Sequence, residues 1–113
     1  MNKDRRELPL SAVHVVAALC GDYFRMKEEL RRGHLSYQIQ LSYFTNTTVI
    51  LEEVEEALGL VGAQAEEMIL DISRNQGYRA SNLSGLIGRG RYSRAKTRAV
   101  RRIAERLYIV EET

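Results

Sequence analysis

Arg89–Leu107 is the stretch that most restricts what this chain can become. Eight of its side chains are basic (Arg89, Arg91, Arg94, Lys96, Arg98, Arg101, Arg102 and Arg106), against a single acid, Glu105. Threaded among them, Ala95, Ala99 or Val100, Ile103 and Leu107 recur at helical spacing and form one apolar stripe. A helix with one dry stripe and an otherwise cationic surface lies on something apolar and presents its charge to an anion. Ser93 is the expected N-cap, since its hydroxyl could accept from a free backbone N–H in the first turn.

The net charge of +2 hides a strong segregation. Residues 1–33 sum to +2, residues 34–73 carry no Lys or Arg and sum to −7, residues 74–107 sum to +9, and the tail adds −2. Such a chain has a basic end that is steered toward polyanions. At 113 residues a single domain with one modest core is expected, and 44% hydrophobic with 28% charged residues is an ordinary globular balance. Within it, residues 1–62 are read as helical support or a dimerisation part, and residues 63–113 as the part that carries function.

A single cysteine excludes an internal disulfide and a multi-cysteine zinc site. Cys20 lies among Val15, Val16, Ala17, Ala18 and Leu19, which predicts a buried structural thiol. The longest apolar run, Ala12–Cys20, is interrupted by His14 and is too short to span a bilayer. No signal peptide is evident, and a cytoplasmic protein with no membrane partner is expected.

Taken in order, Pro9 marks the start of structure. Ser11 is read as the cap of a helix reaching about Arg32, stopped by Gly33, with Gly21 a place where it could kink. Leu35–Phe44 supports two readings. Tyr37, Ile39, Leu41 and Tyr43 alternate with Ser36, Gln38, Gln40 and Ser42 as in a strand, for which Leu107–Val110 is the one short partner. Leu35, Ile39 and Tyr43 also continue at helical spacing to Ile50, Val54 and Leu58. The helix is favoured, from about Ser36 to Leu58, with an interruption allowed near Thr45–Thr48. Glu52, Glu53, Glu55 and Glu56 then read as its solvated outer face. A third helix is expected over about Ala63–Arg74, and a short one from Ser81 or Asn82 to Gly88. Arg89-Gly90-Arg91-Tyr92 is read as the turn before the basic helix.

The predicted fold is therefore all-α, four to five helices with a C-terminal helix-turn-helix. In that arrangement Tyr92, Ser93, Arg94, Lys96 and Thr97, at the N-terminal end of the last helix, are the candidates for reading base edges of duplex DNA. Arg79, Arg89, Arg91, Arg98, Arg101 and Arg102 are the candidates for phosphate contacts, which position a protein without reading sequence. No cofactor and no metal are expected.

Residues 46–107, and above all Tyr92–Leu107 (YSRAKTRAVRRIAERL), resemble small phage-type transcriptional regulators of the ArpU/RinA-like kind. Those carry a helix-turn-helix similar to the fourth region of sigma factors. The acidic stretch TTVILEEVEEALGLV is similar to the helix that leads into that domain. The resemblance implies DNA binding in transcription control, with Tyr92, Ser93, Arg94, Lys96 and Thr97 at the reading positions. The chain departs from the pattern at Gly88–Tyr92, a longer connection than the usual tight turn.

Two other readings use the same basic helix: docking of an acidic protein partner, and RNA binding. The +9 of residues 74–107 could also be compensated by the acidic 34–73 segment, within the chain or across a dimer. No catalytic set is recognisable at familiar spacings, and Gly85, Gly88 and Gly90 do not match a phosphate-binding loop, so an enzyme is not expected.

Overall fold

A computed structural model describes residues 7–110 and shows an all-helical protein. Its elements are α1 (Leu10–Arg32), α2 (Tyr37–Leu58), α3 (Ala63–Ser73), a short 3-10 turn at Tyr78–Ala80, and α4 (Arg89–Arg106).

α1 starts one step before the expected cap. Pro9, with φ −56° and ψ 143°, precedes the first turn, so Ser11 lies inside the helix. Proline suits that place because the first backbone N–H groups of a helix have no partner to lose. Ala12, Val16, Cys20, Tyr23 and Met26 share the buried face, and the helix runs unbroken through Gly21. Gly33 ends it in the left-handed region at φ 77°, where its N–H reaches the Glu29 carbonyl. Arg31 and Arg32 sit in the last turn, against the negative end of the helix dipole.

The stretch that alternates like a strand is the first half of α2, and no strand forms among the described residues. α2 passes Thr45–Thr48 without a break. The Thr47 hydroxyl donates back to the Tyr43 carbonyl at 2.9 Å, which satisfies a polar side chain inside the helix. Leu107–Val110, the other candidate strand, is the C-terminal closure of α4. There the Ile109 N–H reaches the Ala104 carbonyl and the Tyr108 N–H the Glu105 carbonyl, with Tyr108 left-handed at φ 58°. Asn75 closes α3 in the same way at φ 51°.

One contiguous core joins the helices. Val16, Cys20 and Tyr23 from α1, Ile50, Val54 and Leu58 from α2, Met68 and Ile69 from α3, and Ala99 and Ile103 from α4 are all buried together. Cys20 is buried, and burial pushes its thiol up to about 12. α1 is tied to α3 at Glu66, which accepts from the Tyr23 hydroxyl at 3.0 Å and from Lys27 Nζ at 2.6 Å.

The expected short helix from Ser81 or Asn82 to Gly88 is absent. Residues 81–87 form hydrogen-bonded turns instead, closed by Ser84 N–H to Ser81 O and by Leu86 and Ile87 N–H to Leu83 O. Ser81 Oγ accepts the Leu83 N–H at 3.0 Å, a serine turn of its own that competes with helix initiation. Leu83 and Ile87 plug the core from this connector, and the Tyr78 hydroxyl lies 2.7 Å from the carbonyl oxygens of both Ser84 and Ile87. α3 and α4 are thus joined by a long structured connector, with a single 3-10 turn in place of a middle helix.

Candidate nucleic-acid interface

α4 begins five residues earlier than an N-cap at Ser93 predicts. Gly88, in an extended conformation at φ −77° and ψ 162°, is its N-cap, and Arg89–Tyr92 is its first turn. The physical reason is Tyr92. It extends the Ala95–Ala99–Ile103 stripe by one turn, so the extra turn buries an aromatic ring.

That burial decides what Tyr92 does. Its side chain is 3% exposed. Its hydroxyl donates to Asp71 Oδ2 at 2.9 Å, with the Gln76 carbonyl 3.1 Å away. Ser81 Oγ donates to the same Asp71 oxygen. The buried Asp71 of α3 is thereby satisfied by the connector and by α4, as a buried carboxylate must be. Burial first, and the Asp71 hydrogen bond second, push the Tyr92 hydroxyl up to about 12. Tyr92 therefore belongs to the core and is removed from the base-reading set. Lys96, half-buried, is partly drawn into the same knot: its Nζ donates to the Gln76 carbonyl at 2.7 Å and stands 6.0 Å from the Tyr92 ring centre. Desolvation lowers its pKa, opposed by the Asp71 charge.

Ser93, Arg94, Thr97, Arg98 and Arg101 come together. They line a shallow open depression along the side of α4 that faces away from the core. Arg94, Thr97 and Arg101 fall at i, i+3 and i+7, so they stand above one another along the helix. Arg79, Arg94 and Arg101 make no ion pair or hydrogen bond with the described residues. Arg89, at the N-terminal end of α4, has its guanidinium 5.1 Å above the Tyr78 ring.

The other arginines of the helix are occupied by α2. Arg98 meets Glu56 at 3.5 Å. Arg102 meets Glu53 at 3.7 Å and Glu105 at 2.9 Å. Arg106 meets both Glu52 and Glu53 at 2.9 Å. Arg98, Arg102 and Arg106 are spaced by four and rise along one edge of α4, matching the carboxylates on the facing edge of α2. The four glutamates are thus a solvated face only in part: Glu52 and Glu56 are exposed, while Glu53 is buried and Glu55 half-buried. Three hold α4, and Glu55 accepts the Gly62 N–H at 3.0 Å to tie down the turn after α2. Arg91 is occupied as well, its Nη2 donating to the Leu58 carbonyl at 2.6 Å.

The phosphate candidates accordingly divide. Arg79, Arg89 and Arg101 make no ion pair with the described residues, Arg98 holds a long exposed pair, and Arg91 and Arg102 serve the fold. The carboxylate partners that make this division, Glu52, Glu53 and Glu56, are invisible to a search for cationic motifs. Their one signal is the opposite charge of neighbouring segments, −7 over residues 34–73 against +9 over residues 74–107.

Among the described residues no helix is long and apolar enough to cross a membrane. Comparison with protein-family models, with curated proteins and with solved structures finds no match to the chain.

Proposed function

We propose that this protein binds duplex DNA through the outward side of α4, as a regulator of transcription. In this reading Arg94 and Thr97 meet base edges. Arg79, Arg89 and Arg101 contribute phosphate contacts, and Ser93 and Lys96 lie at the margins of the strip. The observation that carries the reading is the contrast within one helix. Arg102 and Arg106 are held by the glutamates of α2 and Arg98 has one exposed contact with Glu56, whereas Arg94 and Arg101 make no ion pair with the described residues. Concentrated, uncompensated positive charge on a rigid rod is the electrostatic footprint of polyanion binding. An α-helix is also the element that fits the major groove. The joined pair α3 and α4 then acts as a helix-turn-helix with an enlarged turn.

A second reading has one observation of its own. The carboxylates of α2 already dock along α4, so an acidic helix of another protein could dock on the free strip in the same manner.

Fluorescence-anisotropy titration with random-sequence duplex DNA, beside single-stranded RNA, at low and moderate salt separates these readings. Duplex binding that weakens steeply with salt supports the DNA reading. No duplex binding at low salt removes it and leaves the acidic partner. Preference for the single strand replaces DNA by RNA.

A further inference from the structure

The first half of α2 is poorly covered by the rest of the chain. Its residues enter the core only from Thr47 onward. Before that, Tyr37, Leu41 and Phe44 stand at i, i+4 and i+7 along one side of the helix, with 77%, 52% and 59% of their surface exposed. Leu41 shares a concavity with Leu107 and Tyr108 beyond the end of α4, floored by the uncharged Gln38, Ser42 and Thr45. Tyr108 is 90% exposed. Its backbone is tied down by the closure of α4, while its ring is left almost bare by the described residues. Four large side chains thus form one bare apolar strip.

We propose that this strip pairs with the same strip of a second copy of the chain, in a two-fold contact with Leu41 near its centre. Charge selects that occupant. From His34 to Leu51 the sequence has no Asp, Glu, Lys or Arg, in a chain that is 28% charged. The strip therefore offers nothing to a charged partner, and two copies meet without repulsion. The charge at its margin, Arg106, is already held by Glu52 and Glu53. Area agrees. With large side chains offering about 150–250 Å² each when fully bare, the four exposed fractions amount to roughly 500 Å² per copy. Two copies then bury on the order of 1,000 Å², with the polar floor adding to it, which reaches the size of a specific interface. A patch of that extent is more than isolated surface leucines or tyrosines would make.

The inference stands apart from the DNA reading, because association is measured without nucleic acid. Sedimentation velocity on the full chain at tens of micromolar is the test. Wild-type protein is expected at twice the monomer mass. Leu41→Glu places two carboxylates against each other across the axis and is expected at the monomer mass, with an unchanged helical circular-dichroism spectrum because position 41 is exposed. Tyr108→Gly suits the left-handed backbone and removes only the ring, so it keeps the fold and raises the dimer dissociation constant on the order of tenfold. Wild-type protein that stays monomeric overturns the proposal. So does a Leu41→Glu variant that dimerises as the wild type does.

Discussion

Arg106 Nη1 lies 2.9 Å from Glu52 Oε1 and 2.9 Å from Glu53 Oε2, joining the end of α4 to the middle of α2 across more than fifty residues of sequence. Glu53 is 7% exposed and also faces Arg102. A buried carboxylate between two guanidiniums ties these helices together, and its removal leaves Arg106 with Glu52 and Arg102 with Glu105 as their remaining partners.

Glu53→Ala is therefore expected to lower the unfolding free energy by about 2 kcal/mol, a buried-pair loss reduced because both arginines are partly solvated. Arg106→Ala should cost less, about 1 kcal/mol, since Arg102 remains at Glu53. Urea denaturation measures both. Equal midpoints for Glu53→Ala and wild type would mean that solvent, and not Glu53, balances these charges.

Tyr92→Phe keeps the ring and deletes the hydroxyl that Asp71 accepts. The expected loss is about 1–2 kcal/mol, with salt-dependent duplex binding unchanged. A variant of full stability but weakened DNA binding would return Tyr92 to the interface.

Alkaline pH tests the same burial. Tyr92 and Cys20 each titrate near 12 in the folded chain, against ordinary values of 10.0 and 9.0. Folding raises both, so it favours their protonated, neutral forms. Their contribution is fully present below the unfolded values and is lost as pH climbs from about 9 through about 12. Denaturation midpoints across that range should fall, less steeply in Cys20→Ala. A flat profile in the wild type would mean the two groups are hydrated.

At the end of α2, Arg91 Nη2 donates to the Leu58 carbonyl while Gly59 follows at φ 74°. A Cβ on Gly59 would stand 3.1 Å from that same guanidinium nitrogen. Gly59→Ala combines a left-handed backbone with this close approach, and is expected to cost about 1–2 kcal/mol. Arg91→Ala should cost about 1 kcal/mol and leave the salt dependence of DNA binding as it was. Thermal melts and anisotropy on the two variants check both halves.

For the DNA reading, Arg94→Ala and Arg101→Ala should each reduce the slope of log affinity against log salt by about 1, at unchanged stability. Arg106→Ala should leave that slope alone while lowering stability. The opposite pattern would move the interface from the outward strip of α4 to its seam with α2.

Much of this protein is written in local sequence. The stripes Val16–Tyr23–Met26, Ile50–Val54–Leu58 and Ala95–Ala99–Ile103 repeat at the period of a helix, and Gly33 and Gly59 end their helices because glycine alone takes the left-handed turn without strain. Those features depend on neighbours within a few residues, so the all-helical class and the extents of α1, α2 and α3 could be read from the chain. The start of α4 could not, because its N-cap is Gly88 and the reason for the extra turn is the Asp71 that receives Tyr92. The connector at 81–87 was obscured by the same knot: Ser81 turns back to Leu83 and Asp71 instead of opening a helix. The pairing of Glu52, Glu53 and Glu56 with Arg98, Arg102 and Arg106 was decided only when α2 and α4 came alongside one another. Charge in a sequence says how much positive surface a helix holds. Which arginines are cancelled, and which are left for a partner, depends on distances between residues some forty to fifty positions apart, and only the packed fold sets those distances.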